Sequence, residues 1–462
     1  MKKPLLLLFA SLCFGIAVIK AQYTVLLNFN DTNGSAPLGS LTLSMGKLFG
    51  MTQYGGTNND GCIFSLDTDG QNYRDLLDFN GTNGEYPASS LTLLGNKLYG
   101  MTFIGGTNND GCIFKIDTDG SGYKKILDFN GINGANPEGS LIFSGGILYG
   151  MTEEGGANNE GCIFSIDTNG NYYHHLLDFN GTNGEKPQFG TLHISKNMLF
   201  GMTLKGGVYD SGCIFSIDTN GTAFNDLLDF NGINGEYPNG SLIIMDSLLF
   251  GMTSSGGTHG AGNIFAIDTN GQGYRNIFSF TGSNGDYPLG SLISDGKILY
   301  GMTTGGAVKG NGNIFSIDTN GMYYEDIFDF NDTDGSFSVG DLTLSGKVLY
   351  GMTKDGGKNR QGVIFRFNDA DLGINNLTAS SNFTSLYPNP TTGIFTISFE
   401  GAQSLVPATV EIYNVLGEKV YSQIVHSSSF IVNLNQPDGI YLYRVIAQDG
   451  NLLGEGKVVI QK

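Results

Sequence analysis

The sequence predicts an all-β chain in which seven copies of a four-stranded unit form a ring and a small β-sandwich follows. Three observations carry that reading. The triplet Gly-Met-Thr recurs at Gly50, Gly100, Gly150, Gly201, Gly251, Gly301 and Gly351, a fifty-residue period with one insertion between the third and fourth copies. Each copy holds four short apolar runs bounded by Gly, Asn, Asp or Pro clusters, which is the punctuation of strands rather than helices. The repeat region opens with a copy of the fourth run, Tyr23 to Asn30, and closes with a copy of the third, Gly362 to Phe367, so the first segment can complete the last unit.

In the second copy the runs are Ser90 to Leu93, Lys97 to Thr102, Cys112 to Asp117 and Tyr123 to Phe129. Within the third of them Ile113 and Lys115 point one way while Phe114 and Ile116 point the other, the period of a strand. An antiparallel unit of this length lies in the range of propeller blades and cannot bury its faces alone; stacking around an axis gives every sheet two neighbours. The expected architecture over residues 22–368 is therefore a seven-bladed β-propeller, with residues 23–30 supplying the outer strand of blade seven.

At the start of the chain, Lys2 and Lys3 precede the apolar run Leu5 to Val18, and Ala21 offers a small residue for cleavage. Residues 1–21 read as a secretory signal peptide, too short in its apolar part for a membrane span. The formal charge is −19, and losing Lys2, Lys3 and Lys20 with the leader takes it to −22. Such acidity argues against nucleic acid and anionic membranes as partners. Cys13 lies in the leader, while Cys62, Cys112, Cys162 and Cys213 occupy one repeat position that becomes Asn263, Asn313 and Val363 in later copies. A slot open to Asn and Val reads as buried free thiols, not as a disulfide framework or a metal site.

Blade geometry sorts the loops. The connection from the second to the third strand (Gly105 to Gly111) and the one to the next blade (Asn130 to Pro137) are long and emerge on one face, whereas the other face carries tight turns such as Asp117 to Gly120. The recurrent Asp-Thr-Asp/Asn-Gly turns begin like a calcium loop but lack its distal bidentate Glu, and Asp/Asn-Gly is a favoured hairpin turn. The Asn-Gly-x-x-Pro loops, with Pro87, Pro137, Pro187, Pro238 and Pro288, read as rigid inter-blade connections. No nucleophile elbow, His-Glu-x-x-His, P-loop or Cys-x-x-Cys occurs, and the histidines His174, His175, His193, His259 and His426 form no motif. Neither a catalytic site nor a cofactor or metal is expected.

Repeat-encoded residues serve the fold, so ligand contacts should break the symmetry on the long-loop face. The residues that do so are Tyr54, Phe103, Glu153, Glu154, Lys205, Tyr209, His259, Lys354, Asp355 and Arg360. Glu153 and Glu154 are the one adjacent acidic pair after a Gly-Met-Thr triplet; adjacent surface acids are usually solvated, and that is the expectation here. Aromatic faces beside carboxylates and amides suit a sugar, whose C–H faces stack on rings while its hydroxyls need directional partners.

After Phe367 the period stops. Residues 369–385 are polar and read as a linker, and residues 386–462 hold six further strand patterns, enough for a small sandwich. There Leu386-Tyr387-Pro388-Asn389-Pro390 with Gly393, then Val410 to Gly417, then Gly439-Ile440-Tyr441-Leu442-Tyr443-Arg444-Val445, and finally Lys457-Val458-Val459-Ile460, resemble the type A C-terminal sorting domain of type IX secretion. The resemblance covers the last ~80 residues in the right order. It implies passage of the inner membrane, an outer-membrane step directed by this domain, partnership with the type IX machinery and a Gram-negative source of the Bacteroidetes kind.

The repeats, through Leu98 to Thr102, Gly105-Gly106, Asn109-Asp110-Gly111, Ile113 to Asp117 and Asp119-Gly120, resemble the GloVer-type units of choice-of-anchor tandem repeat proteins. Methionine in every triplet departs from the smaller polar residue expected there. That resemblance implies architecture and location without chemistry. The reading is a secreted or surface-displayed monomeric propeller that binds an extracellular glycan or protein. A propeller-type carbohydrate-active enzyme and a structural surface component are the alternatives.

Overall fold

A computed structural model describes residues 22–368, 385–398, 408–414, 418–425, 429–447 and 452–462, and every regular element in them is a β-strand. The signal-peptide segment 1–21, nearly all of the linker and Gly417 of the sorting motif lie outside the described residues. Two compact units divide the chain, Met1–Ala370 and Asp371–Lys462.

The first unit opens with β1 (Gln22–Asn28), followed by β2 (Thr42–Ser44), β3 (Lys47–Thr52), β4 (Cys62–Asp67) and β5 (Arg74–Asp78). Strands β2 to β5 make one antiparallel sheet in sequence order, and five more four-stranded sheets repeat it. A seventh sheet holds the last three strands of the repeat region, and β1 joins it beside Val363–Asn368, with Tyr23 opposite Phe367 and Val25 opposite Phe365. Among the described residues the architecture is thus propeller-like, seven four-stranded sheets with chain start and repeat end in one of them.

The triplet explains itself in the register. Gly100 pairs with Phe114 on the neighbouring strand, and a Cβ on Gly100 would lie 2.6 Å from the Phe114 ring tip, so only glycine lets the ring lie across its partner strand. Methionine, unexpected in the sequence, is buried: Met101 packs with Tyr99, Ile113, Phe129 and Leu141 against Leu148, Phe164 and Ile166 of the next sheet, where a flexible thioether fills an irregular gap. One edge-to-face phenylalanine pair recurs at each boundary between sheets, from Phe79–Phe114 (5.4 Å between centroids) round to Phe330–Phe365 (5.5 Å) and Phe29–Phe64 (5.5 Å). Such pairs add about 1 kcal/mol each beyond their buried area.

Inside the sheets runs a hydrogen-bond circuit. The Ser40 amide donates to Ser90 Oγ (2.8 Å), Ser90 to Ser140 Oγ (2.8 Å), Ser140 to Thr191 Oγ1 (3.3 Å) and Thr191 to Ser241 Oγ (2.8 Å). From there Ser241 donates to Ser291 Oγ (2.7 Å), Ser291 to Asp341 Oδ1 (2.5 Å), and the Asp341 amide returns to Ser40 Oγ (2.8 Å). Six of the seven follow a glycine, and at Gly340 a Cβ would sit 2.3 Å from the Gly39 carbonyl.

The second unit has two sheets sharing one core. Ser385–Tyr387, Ile394–Ser398 and Ser429–Asn433 form the smaller; Lys419–Val425, Ala408–Asn414, Gly439–Ala447 and Leu452–Ile460 form the larger. Phe395, Ile397 and Val432 meet Val410, Ile412, Val445 and Val458 between them. The strand Ser385–Tyr387 was not among the six patterns seen in the sequence, because three residues at the edge of a polar stretch carry no period.

Candidate functional site

At the long-loop end every repeat uses the same backbone device. The residue after each triplet donates its amide to the carbonyl of the residue before the inter-blade proline, a position taken in the last repeat by Phe337 before Ser338: Phe103 to Tyr86 (3.2 Å), Ser254 to Tyr237 (3.1 Å), Thr304 to Tyr287 (3.2 Å) and Lys354 to Phe337 (3.0 Å). The acceptor residues are held at positive φ, 53° at Tyr86, 56° at Tyr237, 51° at Tyr287 and 57° at Phe337. Bulky side chains rarely adopt that region, and holding one there costs on the order of 1 kcal/mol or more. Tyr287 is 50% exposed and Phe337 41% exposed, while Tyr86 and Tyr237 are half-buried.

The structure spreads the sequence-predicted residues around this rim. Tyr54 is half-buried and stacks edge-on against Tyr86, 4.8 Å between ring centres. Phe103 is half-buried beside it in the second repeat. Lys354 lies over the Phe337 ring at 5.4 Å, a cation–π contact, and Arg360 sits 4.0 Å from Asp332 on an exposed loop. Tyr209 is 58% exposed, and His259 and Asp355 are also exposed. Lys205 is half-buried and exchanges backbone hydrogen bonds with Glu185 (2.9 and 3.1 Å).

Glu153 corrects the expectation of solvated acids. It is only 7% exposed; its amide donates to the Asn136 carbonyl (3.2 Å) and its Oε1 accepts a hydrogen bond from Gln188 Nε2 at 2.9 Å. Lys186 approaches Glu154 at 3.7 Å and Glu153 at 4.0 Å. Burial raises the Glu153 carboxyl above its ordinary range, with Lys186 pulling the other way.

A further acid joins them that the sequence reading missed. Glu138 follows Pro137 and lines a small cavity inside the Ser/Thr circuit, together with Leu38, Ala88, Phe189, Leu289, Val339 and Asp341. About 20 Å³ of that cavity admits the centre of a water-sized group, room for about one such group. Burial, then the charges of Glu153 and Glu154, push the Glu138 carboxyl up to about 8, while Lys186 opposes the shift. Its Oε2 is buried without a hydrogen-bond partner. The signal that could have found it is the position after the inter-blade proline, Ser338 in the last repeat, which reads Leu38, Ala88, Glu138, Gln188, Asn239, Leu289 and Val339 around the repeats.

The tight turns of the opposite face carry structural ion pairs, such as Lys97–Asp117 at 2.6 Å. Among the described residues no group of three His, Cys, Asp or Glu is arranged to hold a metal ion. The thiols of Cys62, Cys112, Cys162 and Cys213 are free and buried, each beside a threonine hydroxyl, as Cys112 Sγ is 3.3 Å from Thr102 Oγ1. In the second unit Asn389 ties the sorting motif to the last strand: its Nδ2 donates to the Lys457 carbonyl (3.0 Å) and its Oδ1 accepts from the Val459 amide (2.8 Å). The Gly393 carbonyl accepts from Leu434 (2.7 Å), Tyr441 donates to the Pro437 carbonyl (3.0 Å), and Tyr387 and Lys457 are exposed.

With that geometry in hand, comparison with known proteins assigns both units. The Gloeobacter/Verrucomicrobia repeat matches over residues 11–193, 90–265, 168–365 and 245–403. The chain belongs to this repeat family. Its tail, residues 385–461, matches the secretion system C-terminal sorting domain, so the protein is a tandem-repeat cargo of type IX secretion, handled by that machinery and destined for secretion or the cell surface. No curated protein matches. Among solved structures, PorZ, an essential bacterial surface component of the type IX secretion system of Porphyromonas gingivalis, is 14% identical at a TM-score of 0.46, covering 91% of this chain and 59% of its own. Trypanosoma rangeli sialidase in complex with the inhibitor DANA is 8% identical at 0.40, covering 96% and 91%, and the tricorn protease is 12% identical at 0.40, covering 93% and 40%. The chain thus spans about six tenths of the first of these and four tenths of the last.

Proposed function

We propose that residues 22–368 form a closed seven-bladed β-propeller, delivered outside the cell by residues 386–462 across the 369–385 linker, that binds an extracellular glycan on its long-loop face. The hydrogen-bond circuit returning from Asp341 to Ser40 and the pairing of β1 with the last repeat support closure. The observation that carries the binding reading is the set of aromatic residues held at positive φ around the rim, Tyr86, Tyr237, Tyr287 and Phe337. Tyr287 and Phe337 are exposed and Tyr86 and Tyr237 half-buried, and rings presented at the surface next to polar loops offer stacking faces for sugar C–H groups. Signal-peptide export over residues 1–21 and a monomeric state belong to the same proposal, as does the absence of catalysis.

Asparagine already occupies this position at Asn136, with φ of 54°, so Tyr86→Asn, Tyr237→Asn and Tyr287→Asn together remove the rings while keeping the backbone. Glycan-array binding of the full chain should fall by about tenfold or more in the triple variant, the size of two or three lost ring contacts. The variant Asp117→Asn, Asp167→Asn, Asp218→Asn on the opposite face should leave it unchanged. Binding that survives the first set and disappears with the second places the site on the short-turn face and sinks the proposal; polysaccharide breakdown on the same array would favour the enzyme reading.

A further inference from the structure

Repeat four departs from the other six by one residue. In those six a single residue stands between the slot of Glu138 and the circuit, as Gly139 does before Ser140, whereas repeat four places Phe189 and Gly190 between Gln188 and Thr191. The circuit survives the insertion. Ser140 still donates to Thr191 Oγ1, at 3.3 Å the longest of the seven links, and Thr191 to Ser241 Oγ at 2.8 Å. What changes is local: the Gly190 amide turns back to the Gln188 carbonyl, and Phe189 between them is held at φ 45°, a region that bulky residues rarely adopt.

That excursion carries the ring to the far side. Phe189 packs against the buried cluster of Leu38, Ala88 and Val339, which come from repeats one, two and seven, and Leu289 of repeat six joins them. The adjoining repeats three and five contribute Glu138 and Gly240 to the cavity that Phe189 also lines. A cavity with walls from all seven repeats, inside a circuit that runs through all seven, marks the middle of the unit. Seven equivalent side chains cannot all reach one point, so their convergence leaves a hole; a single large ring entering from one repeat fills it. The space that remains is about 20 Å³, room for about one water-sized group.

We infer that Phe189 is a plug that closes the central channel of the repeat unit, so that solutes do not pass between its two faces. The inference rests on the closed ring proposed above and is independent of the glycan reading. An insertion tolerated merely as surface drift would loop out into solvent. This one turns inward at a positive φ and is covered by residues of three other repeats. The circuit hydroxyls and the Asp341 carboxyl that line the same cavity are thereby kept from exchange with bulk solutes.

The test places a thiol against the plug in the full chain. Ala88 is 2% exposed beside Phe189, and Ala88→Cys adds one reactive atom there while the four native thiols stay buried. A small methanethiosulfonate reagent, with mass spectrometry to locate the label, should modify position 88 slowly when Phe189 is present and about tenfold or more faster when Phe189→Ala is added. Deletion of Phe189, which restores the spacing of the other repeats, serves where Phe189→Ala does not fold. Equal rates with and without the ring overturn the inference. Rapid labelling with Phe189 in place overturns it too: if the chain start resists protease in the same sample, the plug alone is wrong, and if β1 is cleaved away, the closed ring is wrong as well. Since the chain has no tryptophan, Phe189→Trp supplies a second reading. Its emission should lie to the blue of free tryptophan and resist acrylamide, and emission like that of the free amino acid refutes the plug.

Discussion

Replacing Tyr23 by Ala tests whether the first strand holds the last sheet. Tyr23 stacks on Phe328 at 4.0 Å with ring planes 3° apart, lies 5.2 Å from the Phe365 ring, and donates its hydroxyl to the Asp334 carbonyl at 2.5 Å. Half-burial of a large side chain contributes about 1.5 kcal/mol, stacking about 1 and the hydrogen bond about 1, for a loss of about 3.5 kcal/mol. At ~2.1 cal/mol/K per residue over roughly 350 residues, that corresponds to a fall in Tm of about 5 °C. The internal control is Tyr173→Ala, which occupies the same place in the third sheet and donates to the Asn133 carbonyl at 2.8 Å. Circular-dichroism melts of both variants should show similar drops, and Tyr23→Ala should in addition expose the chain start to limited proteolysis, since an outer strand released from its edge is open to attack. A Tyr23→Ala melt within about a degree of wild type, beside a clear loss in Tyr173→Ala, would refute the pairing of β1 with the final repeat.

Three further expectations can be checked directly. Burial and the neighbouring Asp78 charge raise the Asp75 carboxyl from its usual 3.8 to about 6, so the folded state binds more protons than the unfolded between those values. The penalty is full above about 6 and is relieved as pH falls toward 3.8; Asp75→Asn should raise Tm at pH 7.5 and not at pH 4, by under about 1 kcal/mol because solvent screens the exposed pair. Burial pushes the thiols of Cys62, Cys162 and Cys213 up to about 12 and that of Cys112 to about 11, so iodoacetamide at neutral pH should leave these four unlabelled in the native protein and modify them in denaturant; their rapid native labelling would contradict their placement. A chain ended at Asn368 should fold yet fail to reach the exterior of its own host, as read by fractionation, because the sorting domain lies beyond that point.

By itself the sequence determined the repeat, the strand runs and the order of the two units, because local spacing alone encodes them. The Gly-Met-Thr period marks the repeat, the offset between Tyr23 and Phe367 points to a shared sheet, and Tyr387 to Gly393 mark the sorting tail. Only the tertiary structure decided which equivalent positions meet. Period tells that Glu138, Gln188 and Asn239 occupy one slot, but not that Glu138 lines a cavity with Leu38, Ala88, Leu289 and Val339 of other repeats. Likewise the residue before each proline looked like part of a rigid connector, and its positive φ appears only once the loop is closed by hydrogen bonds from the next repeat, as at Tyr86 and Phe103. Glu153 read as a solvated acid because its burial is supplied by Gln188 and Lys186, 35 and 33 residues away in sequence. Desolvation is a sum over everything that surrounds a group, and no local pattern contains that sum.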